Sequence, residues 1–264
     1  MIPDIERIAA LIREVAAEEI VPRFNALAAE DVREKRPGNV VTTADLAAER
    51  RLIDGLTALA PGSTIVAEEM FETDPSIVAR LQGEAAVWVI DPVDGTANFA
   101  AGRALFASMV ALVERGRVVA GWILDVPGDV MVLAEEGSGA FADGARLAVA
   151  PPAPLAEMTG SLGARLRNDP VVRDRVGPLR YVRCAGIEYH ALASGALHYA
   201  FFRRVLPWDH AAGSLIHREA GGTNLAYAGE PYTPAAPPEQ GLLLAPDAES
   251  WQALHAVIAA ALAR

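Results

Sequence analysis

Three acidic clusters offer chemistry along this chain: Glu68-Glu69, the run Asp91-Pro-Val-Asp-Gly-Thr-Ala-Asn-Phe99, and Trp208-Asp209. The second follows the apolar run Val87-Trp-Val-Ile90 directly. A buried strand ending there would aim two carboxylates, three residues apart, from a rigid support. Gly95 lets the backbone turn tightly, so that the amides of Gly95 and Thr96 can face an anion. Carboxylates converging on one point repel each other and take up protons unless divalent cations neutralise them. An all-oxygen set suits Mg²⁺ or Mn²⁺ better than zinc. Turn chemistry is the competing explanation. Asp91 could cap a helix, Asp94 could close an Asx turn, and Glu68-Glu69 alone reads as a solvated strand end.

The elements that would position these groups follow from apolar spacing. Pro3 and Asp4 open a first helix, with Ile5, Ile8, Leu11, Ile12 and Val15 on one stripe. A second starts near Thr42–Thr43, turns Leu46, Leu52, Ile53, Leu56 and Leu59 inward, and stops at Pro61-Gly62. Strands are expected over 64–67 and 86–90, after which the chain turns at Asp91. Between 105 and 149 three apolar runs are separated by Glu114–Arg117, Pro127–Asp129 and Glu136-Gly137, which predicts an antiparallel meander. Pro151, Pro152 and Pro154 then break the chain. We expect one domain over 1–150, carrying the meander and most of the acidic clusters, and another over 151–264. The second alternates strand and helix: strands near 181–184, 197–202 and 242–245, helices near 188–194 and 209–220, and a closing helix after Asp247.

Composition narrows the function classes. The 264 residues are 52% hydrophobic, enough for a sizeable core. No apolar run approaches a membrane span, and the charged N-terminus lacks the uninterrupted apolar stretch of a signal peptide. The single cysteine, Cys184, excludes an internal disulfide and fits a reducing, cytoplasmic setting. A formal net charge of −11 repels nucleic acid and anionic lipid, so neither is an expected partner. It would also repel a phosphorylated metabolite unless a bound cation inverted the local potential.

Several segments together resemble a known family. Ala67–Glu69, Asp91–Phe99 and Trp208–Gly222 look like the signatures of the inositol monophosphatase family, while Val41–Asp45 and Glu135–Leu147 resemble its intervening segments. The match runs from about Lys35 to Gly222 in the family's order and spacing. It implies an α/β (α+β) fold, a layered αβαβα sandwich, and hydrolysis of a small phosphate monoester, with inositol monophosphate the default. Glu68, Asp91 and the carbonyl of Val93 would hold one Mg²⁺. Asp91, Asp94 and Asp209 would hold a second, and Glu68 with water any third; Mn²⁺ is an alternative. Phosphate would rest on the metals and on the Gly95 and Thr96 amides. Asp94 and Gly186 would also face the substrate. Asp45, Thr96 and Glu68 would carry catalysis, with Asp45 and Thr96 orienting or deprotonating the attacking water. Sensitivity to lithium and a homodimeric state are further implications, and no covalent phosphoenzyme is implied.

The chain departs from the inositol-hydrolysing pattern on the leaving-group side. Seven residues before Asp209, where that pattern has a Glu, stands Phe202, followed by Arg203 and Arg204. After Gly186, where small residues are usual, stand Ile187, Glu188, Tyr189 and His190. Glu188 is the candidate replacement acceptor, although it also suits a helix first turn. Histidinol phosphate, fructose 1,6-bisphosphate or a 3′-phosphonucleotide are therefore alternative substrates, and a non-catalytic metal-dependent regulator is the rival from another class. Gly137–Ala142 loosely fits a dinucleotide fingerprint, but Asp143-Gly144 follows at once as a turn, so a hairpin is expected. His210 and His217 complete no zinc spacing and read as structural. Cys184 reads as a small core residue in a strand.

Overall fold

The computed structural model describes residues 4–36 and 38–264; Pro3, expected to help open the first helix, lies outside them. Helix α1 spans Ile5–Val15, and Asp4 caps it by accepting from the amides of Glu6 and Arg7. A hairpin of β1 (Val32–Arg36) and β2 (Asn39–Thr42) leads into α2 (Thr43–Leu59), whose N-cap is Thr42. The hairpin was not expected: Val-Arg-Glu-Lys-Arg has no apolar alternation to announce a strand. On α2 the buried face runs through Ala44, Ala48, Leu52 and Leu56 at intervals of four. Leu46 lies two residues from Ala44, roughly 200° around the helix, and is 48% exposed rather than turned inward.

The larger sheet has seven strands in chain order: β3 (Thr64–Ala67), β4 (Val87–Asp94), β5 (Ala107–Glu114), β6 (Arg117–Asp125), β7 (Val130–Glu135), β8 (Gly139–Ala142) and β9 (Ala145–Arg146). Only β3 and β4 are parallel; the remainder is the antiparallel meander. Gly137–Ala142 falls in its hairpins, as expected. Two details differ from expectation. Glu68-Glu69 does not end a strand in solvent but opens a helix, α3 (Glu68–Thr73). The chain also does not turn at Asp91: β4 continues to Asp94 through a bulge, and the short helix α4 (Thr96–Ala100) follows.

A five-stranded sheet, ordered β11-β10-β12-β14-β13, is built from β10 (Gly160–Leu162), β11 (Leu179–Arg180), β12 (Tyr199–Phe202), β13 (Thr223–Ala226) and β14 (Leu242–Ala245). Helices α5 (Ala164–Arg167), α6 (Pro170–Arg173), α7 (Ala185–Ala193), α8 (Pro207–Glu219) and α9 (Ala248–Leu262) complete the chain. The strand expected over 181–184 is displaced to Leu179–Arg180. There β11 pairs for two residues, and the carbonyls of Val182 and Arg183 instead accept from the Asn98 side chain. Cys184 is buried, but as the residue before α7 rather than in a strand.

The layers follow from strand alternation. Trp88 and Ile90 face α1 and α2, packing with Ile8, Ile12, Leu52, Leu56 and Trp122. Val87 and Val89 point the other way, toward α7 and α8, with Tyr189, Leu192, Leu215 and Ile216. Leu242 and Leu244 close that middle layer from the smaller sheet, whose opposite face packs Tyr199, Phe201 and Leu243 on α9. The result is an αβαβα sandwich. Each fully buried Leu or Ile here contributes about 1.5–3 kcal/mol. Among the described residues no helix is long and apolar enough to cross a membrane.

Candidate active site

The site begins where two parallel strands stop together. Ala67 of β3 pairs with Ile90 of β4, so Glu68 and Asp91 are the next residues of adjacent chains. The bulge between Asp91 and Asp94 re-aims the strand end, with Asp94 paired to Ala107. Asp209 is the third residue of α8, which Pro207 opens at a position needing no amide donor. Asp45 is the third residue of α2, one element away. Gly95 links strand to helix with φ +85°, and a Cβ there would lie 2.8 Å from the Leu105 carbonyl oxygen. Only glycine fits.

The carboxylates perturb one another. Burial, then Glu68, Asp94, Asp209 and Asp45 in turn, holds Asp91 well above the ordinary carboxylate range. Asp209 is raised in the same way by burial, Glu68 and Asp94. Burial lifts Asp94 to about 6, opposed by hydrogen bonds from Cys184 and Gly186. Asp94 Oδ2 accepts from the Gly186 amide at 2.6 Å and from Cys184 Sγ at 3.0 Å, while Asp91 Oδ1 accepts from the Val93 amide at 3.1 Å. The local bond that turn chemistry would put at Asp94 is instead at Asp91. These side chains are turned to protein donors. Among the described residues, no three His, Cys, Asp or Glu groups stand at the spacing of a ready metal shell.

Asp45 and Thr96 are brought together. Thr96 Oγ1 lies 3.0 Å from Asp45 Oδ1 and 2.9 Å from the Val93 carbonyl, with donation open to either. Asp45 Oδ2 meanwhile accepts from the Thr42 amide at 2.9 Å, so this residue caps α2 as well. Burial pushes Asp45 up to about 7 against hydrogen bonds from the Thr42 hydroxyl and amide. Gly186 has no room for a side chain: a Cβ would sit 2.6 Å from Ala107 Cβ. Glu188, by contrast, makes no hydrogen bond to the acidic cluster among the described residues, and its Oε1 accepts from Ser161 Oγ at 2.6 Å.

Two groups escaped the sequence. Lys35 Nζ, on β1, bonds Glu68 Oε1 at 2.9 Å and Glu69 Oε1 at 2.7 Å. Burial works to lower this ammonium, and the two carboxylates overcome it and hold it above lysine's ordinary value. Asn98 donates to the carbonyls of Leu105 and Val182, both at 2.9 Å, fastening the segment before α7 to the end of β4. The only signal for Lys35 was its place in a charged segment, which carries no periodicity.

Comparison with known proteins agrees with this geometry. A model of the inositol monophosphatase family matches residues 4–264. The chain is 33% identical over 204 residues to the fructose-1,6-bisphosphatase/inositol-1-monophosphatase of Thermotoga maritima, covering 75% of this chain and 76% of that one. It is 31% identical over 232 residues to the inositol-1-monophosphatase of Bacillus subtilis, covering 84% of each. Among solved structures, a Thermotoga maritima IMPase superimposes with a TM-score of 0.80 at 26% identity, over 96% of this chain and 97% of that one.

Proposed function

Because the chain belongs to the inositol monophosphatase family, we propose that it hydrolyses a small phosphate monoester in a Mg²⁺-dependent reaction, inositol monophosphate being the default substrate. The observation that carries this reading is the Thr96–Asp45 hydrogen bond beside four carboxylates. Three of those, Asp91, Asp94 and Asp209, are raised in pKa by burial and by one another or Glu68.

The donor set fits a hard divalent cation, since every group is oxygen and the carboxylates repel without one. Glu68, Asp91 and the Val93 carbonyl would hold one ion, and Asp91, Asp94 and Asp209 another. The Val93 carbonyl can still serve while it takes a bond from Thr96, because it has two lone pairs. Lys35 already neutralises Glu68 and Glu69, which argues against a strong third ion there. Divalent cations bound there would supply a lowered pKa for water, screening of the phosphate charge and stabilisation of the leaving alkoxide.

The chain's own residues do the rest. With its proton directed to Asp45 Oδ1, the Thr96 hydroxyl presents lone pairs that accept from the attacking water and fix its direction. The water's proton moves along that bond toward Asp45, whose pKa of about 7 suits a base at neutral pH. The Gly95 and Thr96 amides cradle the phosphate, and Gly186 lies where the alcohol departs. Phosphate release from inositol 1-phosphate, histidinol phosphate, fructose 1,6-bisphosphate and a 3′-phosphonucleotide, with Mg²⁺ and then with EDTA, tests the reading. Turnover that survives EDTA would overturn it.

A further inference from the structure

Glu188 is a buried carboxylate with no charge partner. It is the fourth residue of α7 and 5% exposed. Its Oε1 accepts from Ser161 Oγ at 2.6 Å and from the Val182 amide at 3.4 Å, while among the described residues Oε2 takes no protein donor. Nor does any Lys, Arg or His stand within ion-pair distance of it among those residues. A buried carboxylate without a charge partner is costly, and burial raises Glu188 to about 7 against its hydrogen bonds from Ser161 and Val182, so a cationic ligand would favour its charged form.

The carboxyl lies against a cavity of about 120 Å³ between α7 and the β10–β11 edge, lined also by Ser161, Arg180, Ile187, Ala191 and Leu197. That volume is ample for the end of a short chain. The cavity begins one residue beyond Gly186, whose amide bonds Asp94, and the Asp94 charge acts on Glu188, so it adjoins the leaving-group end of the site. Its walls are mostly aliphatic, and among the described residues two polar groups of the lining lack a partner, the free carboxylate oxygen and the Arg180 guanidinium at the rim. A hydroxyl would give that oxygen a hydrogen bond. An ammonium would give the bond and cancel the charge.

We propose that this cavity is a specificity subsite for the cationic end of the leaving alcohol, so that the substrate class is the phosphate monoester of an amino alcohol. The inference rests on the phosphatase reading above. Glu188 acts here through the alcohol's ammonium and takes no part in bond breaking. Arg180 stands on the edge strand at the cavity rim and forms no ion pair among the described residues, so it leaves the carboxylate unneutralised.

The test uses the full chain with Mg²⁺ and three ester series of increasing length: ω-aminoalkyl, ω-hydroxyalkyl and n-alkyl phosphates. The readout is the ratio of kcat/KM for the amine over its alkyl counterpart. A charge-assisted bond predicts a preference of about tenfold or more at one chain length, carried mainly by KM. The preference falls to about unity in Glu188→Gln. It also falls in Ala191→Leu, which fills the cavity while keeping the carboxylate and serves if the first variant folds poorly. A ratio near unity at every length overturns the proposal. So does a hydroxyl preference equal to the amine's, or an amine preference that survives both variants. If no series is hydrolysed, and p-nitrophenyl phosphate is not either, the phosphatase reading itself falls and takes this inference with it.

Discussion

The two sides of Asp94 are built differently. On the side proposed to hold phosphate, short acidic side chains stand at strand ends and helix starts, and register brings the first two together: Ala67 beside Ile90 places Glu68 beside Asp91. On the side proposed for the leaving group, large side chains fill space. Phe202 stacks on Tyr189 at 5.6 Å between centroids and lies 4.6 Å from the His210 ring. Tyr189 Oη is 3.0 Å from His210 Nδ1, whose other nitrogen reaches the Arg204 carbonyl. A glutamate in place of Phe202 would meet two rings rather than a solvated ligand. The first side is charge geometry, where the proposed reaction depends on each carboxylate. The second, around Phe202, is shape, where the proposed reading expects substitution to change which alcohol fits.

The sharpest way to break this contrast is to neutralise one charge on the phosphate side. Asp91→Asn and Asp209→Asn should drop kcat below about a tenth of wild type at saturating Mg²⁺ while the fold persists, because a shell that needs the charge gets no substitute from shape. Without metal, their melting temperatures should stay level or rise, since each variant relieves the mutual repulsion that raises these groups. Turnover near wild type, measured across a Mg²⁺ titration, would remove both residues from the cage.

One step down in size is the Thr96–Asp45 pair, proposed to orient water. Thr96→Val deletes the hydroxyl that bonds Asp45 and the Val93 carbonyl while keeping the β-branched shape. A loss of about 10²–10⁴ in kcat with little change in KM is expected, the range for a misplaced general base. Thr96→Ser should recover most of it. An equal loss in both variants would mean that packing, rather than the hydroxyl, is what matters.

How much of this was legible in the sequence divides along the same line. Strands written as Val-Trp-Val-Ile followed by Asp announce themselves, because burial on two faces forces an apolar run and a carboxylate must then lie at its end. Helices α2, α8 and α9 were legible from their start signals, Thr42, Pro207 and Asp247. The β1–β2 hairpin was not, since its strands are charged and held by backbone pairing and by Lys35 reaching Glu68 and Glu69. Helix α3 was missed because six residues are too few to show a period. The orientation of Glu188 depended on Ser161, 27 residues away, a contact that local pattern does not carry.

A stability effect of intermediate size should appear on the shape side. Phe202→Ala removes the ring between Tyr189 and His210, and because Phe202 is only half-buried the loss should be about 1–3 kcal/mol, below that of a fully buried Phe. In denaturant melts it should lower the midpoint, and among esters that turn over it should shift relative kcat/KM values. Such a shift would show that the Phe202 ring contributes to specificity. Unchanged substrate ratios would confine Phe202 to packing.

The smallest expected effect concerns His217, two turns along α8 from Asp209. It is fully buried, and neither ring nitrogen has a partner among the described residues. Its ring fills the space beside Gly222, where a Cβ would lie 2.2 Å from Cε1. An unpaired buried donor or acceptor costs about 1–3 kcal/mol. His217→Leu, similar in volume, should therefore stabilise the chain by about 1–2 kcal/mol at pH 7 once imperfect fit is allowed for. Burial also pushes the imidazole down from 6.5 to about 3. Between those values the unfolded chain binds a proton that the folded chain refuses. The stability associated with His217 is accordingly complete above pH 6.5 and is lost as pH falls toward 3. At pH 5, some one and a half units below the unfolded value, the loss is about 2 kcal/mol at 1.36 kcal/mol per unit. Carboxylates such as Asp45 and Glu49, raised to about 7, gain stability over the same interval and mask this in the wild type alone. The difference between variant and wild type isolates it. Urea melts at pH 7 and pH 5 should show the advantage of His217→Leu widening by about 2 kcal/mol, and a constant gap would mean that the histidine finds a partner for its proton.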